Sequence, residues 1–221
     1  MSAGPPEFPL FATQRTPPPP GLAARALPDR IAALRRTRLR GASVLFTPYE
    51  RAYGEALRQL RNLPHNQQNL AQSGDLTPAQ QRSWEEAYLA RANDLCWILL
   101  TPAGEFAGAV SLYDIDAESG ETGRLVLRED VARTTPILAE CELMVQWIAF
   151  GWLGLRRVLA RVQPANAKMV VMHERLGFHV TGPASIRSVP YLALEIAAAG
   201  FRPEPHARVI NHWHRRHPPP Q

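Results

Sequence analysis

The order of strand-like and helix-like segments along the second half of the chain restricts its fold more than any other feature. Apolar, strand-like stretches come at 95–101, 106–115 and 120–128, and after them a helix, a strand, a helix and two strands occupy 136–154, 156–162, 166–176, 178–181 and 188–196. Strands close together in sequence pair as antiparallel hairpins, whereas a helix between two strands indicates a crossover connection. The sequence therefore predicts a single α/β (α+β) domain with a mixed, mostly antiparallel central sheet flanked by helices.

The first half of the chain adds a short strand at 42–46 and two helices. A helix at 48–63 would place Tyr49, Tyr53 and Leu57 on one face. The polar stretch "HNQQNLAQSGD" that follows is predicted to be a loop. The second helix begins with Thr77 as its N-cap and Pro78 at its first position, which is a typical helix start.

Both ends of the chain differ in composition from the middle. Residues 1–36 contain "PPEFP" and "TPPPPG", and residues 201–221 end in "HWHRRHPPPQ". Proline-rich segments without an apolar period do not form a packed core. We therefore predict a disordered N-terminal segment at 1–36, a folded domain at 37–200 and a basic disordered tail at 201–221.

The charge distribution argues against a nucleic-acid-binding fold, although the pI is about 9.8. Residues 1–40 hold seven arginines against Glu7 and Asp29, a net charge of +5, and residues 201–221 hold four arginines against Glu204, a net charge of +3. Because the whole chain carries +5, residues 41–200 carry −3. A folded nucleic-acid-binding domain should carry the basic patch on its own surface.

Neither a membrane segment nor a secretion signal is predicted. No apolar run approaches the roughly 20 residues that span a bilayer, and the N-terminus lacks a basic region followed by an apolar one. The cytoplasm is the expected compartment. The two cysteines, Cys96 and Cys141, are expected to be buried free thiols, and no metal site is predicted.

Two stretches of the sequence carry a resemblance to a known family. "GAVSLYDIDAESGETGRLVLRED" resembles a strand hairpin of the GNAT superfamily of acyl-CoA-dependent N-acyltransferases, and "LGLRRVLARVQPANAKMVVMHERLGFHVTGP" resembles that superfamily's later strand–helix–strand segment. The chain is most similar to the ribosomal-protein and amino-sugar N-acetyltransferase branch, since Arg61-Asn62 ends one helix and Trp84 lies in the next. The resemblance covers roughly residues 42–197. It implies a GNAT-like fold and acetyl-CoA, or another acyl-CoA, as the donor substrate.

The resemblance also implies roles for two residues of the helix at 166–176. In the superfamily, an Asn in this helix contacts the cofactor region and a Tyr near the end of the helix protonates the departing thiolate. Asn166 takes the first position and His173 the second, and 166, 170 and 173 fall on one helical stripe. Imidazole is a competent proton donor near neutral pH. Two plainer explanations stay open, in which Asn166 is only a helix N-cap and His173 is only a core or surface residue.

Further residues are assigned to the donor and acceptor sides by the same resemblance. A β-bulge would point a backbone N–H at the thioester carbonyl, and the matching backbone is Leu125, Val126 and Leu127. Glu121 is the preferred general base, with Asp114 or Asp116 as alternatives, and each could instead be a solvated hairpin carboxylate. The residues expected to line the acceptor site are Arg61, Asn62, Trp84 and Asp114. Trp84 is explained equally well as a core residue.

The sequence departs from the family at the loop that binds the pyrophosphate. Glycines normally let backbone N–H groups approach the phosphates closely, but "REDVARTTPILAE" contains no glycine. Arg133, Thr134 and Thr135 are the predicted replacements as phosphate donors. Thr135 is also expected to cap the following helix, with Pro136 at its first position.

We expect an N-acyltransferase that moves an acetyl or other acyl group from acyl-CoA to a primary amine of a small molecule, an amino sugar or a peptide N-terminus. The missing glycines leave two alternatives open. One is a transferase on the same fold with another donor, such as aminoacyl-tRNA, whose binding would fall steeply with salt. The other is a non-catalytic GNAT-like module that binds a partner, with the proline-rich segment as a docking site. Exposed edge strands would permit a homodimer.

Overall fold

The centre of the molecule is one eight-stranded sheet. A computed structural model describes residues 19–72 and 74–217. The strands in chain order are β1 Leu39–Arg40, β2 Leu45–Pro48, β3 Leu95–Leu100, β4 Phe106–Tyr113, β5 Ser119–Leu127, β6 Arg157–Val162, β7 His179–Ile186 and β8 Val189–Ala197. Their spatial order is β1-β2-β3-β4-β5-β6-β8-β7. The predicted mixed, mostly antiparallel sheet is confirmed.

One pair of strands is parallel, and it is short. Only four residues of each strand pair, Ser119–Thr122 of β5 with Arg157–Ala160 of β6. Beyond Thr122, β5 continues along β4 as far as Leu127, and beyond Ala160, β6 continues along β8. The two strands therefore separate, and a gap opens in the middle of the sheet.

Helices cover both faces of the sheet. Their bounds are α1 Leu27–Leu34, α2 Gly54–Asn62, α3 Pro64–Gln67, α4 Pro78–Ala90, α5 Glu129–Thr134, α6 Ile137–Trp147, α7 Ala167–Arg175 and α8 Pro203–Arg216. The predicted start of α4 is confirmed, because Thr77 and Gln80 form a capping box. α6 continues as a π-helical segment at Ile148–Leu153.

Two clusters of buried side chains hold the layers together. On the face that carries α2 and α4, here called the α2/α4 face, Leu57, Leu60 and Tyr88 pack against Ile98 and Val126. The opposite face, here called the α6 face, holds the larger cluster, to which α1, α6, α7, α8 and the sheet all contribute. The sheet thus separates the two clusters of packed side chains. The gap between β5 and β6 connects the two faces of the sheet.

The structure differs from the prediction at both ends of the folded domain. Helix α1 buries Ile31 and Leu34, and α8 buries Ala207 and Ile210, so both belong to the main core although disorder was predicted at 1–36 and 201–221. The many prolines, arginines and histidines of these segments hid a narrow apolar stripe. Residues 1–18 and 218–221 lie outside the described residues.

A third difference lies after β5, where a loop was predicted. Residues Glu129–Thr134 form helix α5 instead, because without glycine nothing in this stretch opposes helical backbone angles. α6 then begins at Ile137 with Pro136, and not Thr135, as its N-cap residue. No helix among residues 19–72 and 74–217 is long and apolar enough to cross a membrane.

Candidate active site

A cavity of about 450 Å³ lies where β5 and β6 separate. Residues from the α2/α4 face and from the α6 face both line it. Six of the residues predicted from the sequence lie around it, namely Arg61, Trp84, Asp114, Leu125, Asn166 and His173. Seven others lie outside the lining, namely Asn62, Glu121, Val126, Leu127, Arg133, Thr134 and Thr135.

The strand β5 has a bulge at the cavity. Ser111 pairs with Gly123 and Ala109 with Val126, so both Arg124 and Leu125 lie opposite the single residue Val110. Arg124 has a φ of +52°, which is unusual for a residue other than glycine. The bulge therefore falls where the resemblance implies one, and it interrupts the hydrogen-bond ladder beside Leu125.

The end of β5 is covered by a polar segment that drew no functional prediction. The Asn66 side chain accepts a hydrogen bond from the N–H of Leu127 at 3.4 Å and donates one to its carbonyl at 3.2 Å. His65 Nε2 lies 3.1 Å from the same carbonyl. Leu127 and Val126 pair with Gly108 and Ala109 of β4, and Asn66 takes the place of a neighbouring strand on the other side of Leu127. Of the three backbone positions predicted to bind the thioester, only Leu125 faces the cavity.

His173 lies at the α6-face end of the cavity and is only 2% exposed. Its Nδ1 donates to the carbonyl of Met169 at 2.9 Å. Its Nε2 faces Glu142 Oε2 at 3.7 Å, and Thr122 donates to the same oxygen at 3.3 Å. Burial raises the pKa of Glu142, while His173 and the Thr122 hydroxyl oppose the rise. Two buried titratable groups therefore face each other in the cavity wall, and Nε2 of His173 has no hydrogen-bond partner among the described residues.

The N-terminal end of α7 enters the cavity through Asn166. Its side chain accepts from the Met169 N–H at 3.3 Å, so its role as an N-cap is confirmed. Asn166, Met169 and His173 line the cavity, in helical register. Val170, which was placed on the same stripe, packs against the main core instead.

Glu121, the preferred base, is occupied by other groups. Arg161 binds its carboxylate through Nη2 at 2.6 Å and through Nε at 2.9 Å, and the Tyr113 hydroxyl donates to it as well. Glu121 is 7% exposed and does not line the cavity. Its oxygens are occupied by these donors, and the structure does not place Glu121 where an amine in the cavity could reach it.

The two alternative bases have different surroundings. Asp116 accepts from the backbone N–H groups of Glu118 and Ser119, which lowers its pKa and makes it a turn-forming residue. Asp114 is exposed, lines the cavity and has a φ of +50°. Asp114 is therefore the carboxylate on the α2/α4 face that an incoming amine can reach.

Of the residues predicted to line the acceptor site, some line the cavity and one does not. Trp84 lines the cavity and stacks on Tyr88 with ring centroids 5.6 Å apart. Arg61 also lines the cavity. Asn62 instead binds the backbone of Leu76 through both ends of its amide, at 2.8 and 3.0 Å, and so fixes the segment before α4.

The predicted phosphate-binding residues are engaged within or beside α5. Thr134 donates to the carbonyl of Asp130 at 2.7 Å and Thr135 to that of Val131 at 2.9 Å. Arg133 pairs with Glu129 at 3.7 Å on the exposed side of the helix. These groups would have to change partners to bind a phosphate.

The two cysteines are buried free thiols, as predicted. Burial is the main reason why the pKa of Cys96 rises to about 11, and it also raises the pKa of Cys141. Neither thiol is suited to act as a nucleophile at neutral pH.

A family model described as an acetyltransferase (GNAT) domain matches residues 44–179, more than half of the chain. The chain belongs to the GNAT acetyltransferase family. The matched region of this GNAT domain runs from the beginning of β2 to the beginning of β7, and of the cavity lining only Ile186, Arg187 and Tyr191 lie beyond it. A search of curated proteins finds no match.

Solved structures agree with the GNAT fold. A GCN5-related N-acetyltransferase from Brucella melitensis has a TM-score of 0.66 and 19% identity, over 80% of this chain and 85% of that one. A spermidine N-acetyltransferase from Vibrio cholerae, in complex with CoA and spermine, has a TM-score of 0.64 and 14% identity, over 72% of this chain and 98% of that one. At such identities the likeness shows the fold alone.

Several cavity residues of this GNAT domain were not found from the sequence. Glu142 had a visible signal, since it is a carboxylate within the apolar helix "ILAECELMVQW". Arg124, Arg161 and Arg187 had none, because the bulge, the parallel register and a hairpin turn bring them to the cavity.

Proposed function

We propose that this chain transfers an acetyl or other acyl group from acyl-CoA to a primary amine. The observation that carries the proposal is one cavity that passes between β5 and β6 and joins the bulge at Leu125, the buried His173 and the acceptor-side residues Trp84 and Asp114. Acyl transfer needs a held thioester, an oxyanion donor, an acid for the thiolate and a place for the amine. Members of the GNAT family supply these from the same elements of the fold.

The gap and its residues fit the acyl-bearing arm of the donor. The free edges of β5 and β6 would flank an extended arm, with Asn166 near one side and the backbone N–H of Leu125 directed at the thioester oxygen. At the phosphate end, the N-terminus of α6 provides a partial positive charge. We propose that Arg133, Thr134 and Thr135 exchange their present partners for the phosphates when the donor binds.

We propose His173 as the acid and Glu142 as its positioning residue. As the amine nitrogen bonds to the acyl carbon, the carbon–sulfur bond breaks and the thiolate takes the proton from His173. Glu142, whose carboxylate faces Nε2, stabilises the protonated imidazole before this transfer, which leaves His173 neutral. The proton that the amine loses goes to Asp114, directly or through water, and Glu121 orients Arg161.

For the acceptor, the resemblance to the ribosomal-protein and amino-sugar branch supports a small amine, an amino sugar or a peptide N-terminus. Arg61, Trp84 and Asp114 would contact it. Asn62 would act through the loop before α4, since it binds Leu76.

One observation supports a different donor. The helical α5, with its hydroxyls bonded to its own backbone, gives no ready cradle for a pyrophosphate. A GNAT-fold transferase that uses another donor such as aminoacyl-tRNA, or a binding module without activity, would share the scaffold and lack acetyl-CoA binding.

The proposed acid is tested with His173→Gln, which keeps a polar side chain of similar length but cannot titrate. We expect kcat for release of coenzyme A to fall by about a hundredfold, with the KM for acetyl-CoA within a few fold of wild type. The matched control is His179→Gln, because His179 is largely exposed. An unchanged kcat and pH profile in His173→Gln would show that His173 is not the acid.

A further inference from the structure

The α2/α4 side of the cavity carries an excess of positive charge. Among the residues that the structure describes, five arginines line the cavity, namely Arg61, Arg91, Arg124, Arg161 and Arg187. The carboxylates that line it are Asp94, Asp114 and Glu142. Glu142 belongs to the opposite face, where it pairs with His173.

Most of these arginines already have partners. Arg124 and Arg91 share the buried Asp94, at 3.2 and 3.5 Å. The guanidinium of Arg124 also lies 3.8 Å above the ring of Tyr113. Arg161 is bound to Glu121. Of the carboxylates that line the cavity on the α2/α4 face, these ion pairs use Asp94 and leave Asp114, which is exposed.

Arg61 is different. Its Nε is buried and has no hydrogen-bond partner within the described part of the chain. Burial lowers its pKa most, and the charges of Arg124 and Arg187 lower it further. A half-buried guanidinium whose Nε is buried without a partner, and which faces two like charges, is unfavourable unless an anion compensates it. Arg61 and Trp84 both line the cavity, so an anion that compensates Arg61 would lie where the acceptor is expected.

The arginines are also separated from the predicted phosphate site of the donor. Trp84 and Tyr88, which share the cavity wall with Arg61, belong to the core cluster of the α2/α4 face. Val131 and Ile137, at α5 and the start of α6, belong to the cluster of the opposite face. The sheet lies between the two regions, so the charge at Arg61 is available to the acceptor.

We propose that the acceptor is an amine that also carries an anionic group, a carboxylate or a phosphate, and that Arg61 binds this group with help from Arg124 and Arg187. The inference rests on the proposed acyltransferase function and narrows its acceptor. A polycation such as spermine, which occupies the Vibrio cholerae structure, would meet repulsion here. Asp114 stays free to contact the amine end.

The test compares acceptors that differ only in the anion. Glycine is paired with glycinamide, O-phosphoethanolamine with ethanolamine, and spermidine is the cationic comparator, with release of coenzyme A as the readout. We expect kcat/KM to be roughly tenfold or more higher for at least one anionic member than for its neutral partner. The glycine and phosphoethanolamine arms distinguish the carboxylate from the phosphate.

Arg61→Gln should reduce that preference to about twofold or less, while the KM for acetyl-CoA stays near wild type. Arg82→Gln is the matched control, because it removes one positive charge from an exposed position of α4 that does not line the cavity. An equal or better rate with the neutral amines or with spermidine would overturn the proposal. Loss of acetyl-CoA affinity in Arg61→Gln, in place of lost acceptor preference, would also overturn it.

A binding arm keeps the proposal testable if no amine of the panel is acetylated. Two pairs of acetylated products, N-acetylglycine with N-acetylglycinamide and N-acetyl-O-phosphoethanolamine with N-acetylethanolamine, are titrated calorimetrically into wild type and Arg61→Gln without any coenzyme A. Preferential binding of the anion, lost in Arg61→Gln, supports the anion site even if acetyl-CoA binding and the transferase function fail. Equal binding within both pairs, or binding of none of the four compounds, overturns it.

Discussion

At the scale of single residues, the candidate active site contains two titratable groups that are buried together. Glu142 and His173 are 1% and 3% exposed in their side chains and lie 3.7 Å apart. Removing a charged group from water disfavours its charged form, whereas a neighbouring opposite charge favours it. For Glu142 burial is the larger effect, and the pKa is raised above the ordinary 4.5.

This balance predicts how stability changes with pH in Glu142→Gln. A carboxyl whose pKa is raised by folding stabilises the protein fully below pH 4.5, and that contribution is lost as the pH rises through its folded pKa. The neutral amide does not undergo this loss. The free energy of unfolding of Glu142→Gln, relative to that of wild type, should therefore increase as the pH rises above 4.5, by about 1.4 kcal/mol per unit of pKa shift.

Urea unfolding between pH 4 and pH 8 measures this difference. The control is Glu86→Gln, because Glu86 is an exposed residue of α4, and its difference from wild type should not vary with pH in the same way. If the free energy of unfolding of Glu142→Gln instead decreases relative to wild type as the pH rises, the ionised pair of Glu142 and His173 is the more stable state.

At the scale of secondary structure, local rules predicted the elements that depend only on neighbouring residues. The N-caps Thr77 and Asn166 were found because a capping side chain bonds to an N–H within the next few residues. The pairing of Glu121 with Arg161 could not be found in this way. It follows from the parallel register of β5 and β6, which brings together residues 40 positions apart.

The packing of the terminal helix α8 could not be predicted from local sequence patterns either. α8 was predicted to be disordered because its composition is polar and rich in histidine, yet His214 lies 2.8 Å from the buried Ser43. Ser43 and Ala42 in turn donate backbone hydrogen bonds to the buried Glu140 of α6. These partners are distant in sequence, and therefore no local pattern indicates that α8 docks.

Docking of α8 is tested by Ile210→Ala. Ile210 is 1% exposed and belongs to the main core, whereas its neighbour Val209 is 69% exposed. We expect Ile210→Ala to lower the free energy of unfolding by about 2–4 kcal/mol, because a buried side chain leaves a cavity. Val209→Ala should cost less than about 0.5 kcal/mol. Equal, small effects in chemical denaturation would mean that α8 does not pack on the core in solution.

At the scale of the whole molecule, the separation of β5 and β6 connects the two faces of the sheet. His173 and Glu142 lie on the α6 face, with Thr122, and the arginines lie on the α2/α4 face, around Asp94. The order of elements was sufficient to predict the sheet. It could not predict the length of the parallel pairing, which ends at Thr122 and Ala160 and thereby sets the size of the cavity.

The central claim is that an acyl-CoA enters this gap, and calorimetric titration of acetyl-CoA into the purified chain tests it most directly. Adenosine 3′,5′-bisphosphate, which has the nucleotide end and no arm, is titrated in parallel. We expect a Kd for acetyl-CoA of about 1–100 μM and at least about tenfold weaker binding of the bisphosphate, because the arm is proposed to contact β5, β6 and Asn166. No heat of binding with acetyl-CoA up to about 1 mM would contradict the claim and direct attention to another donor.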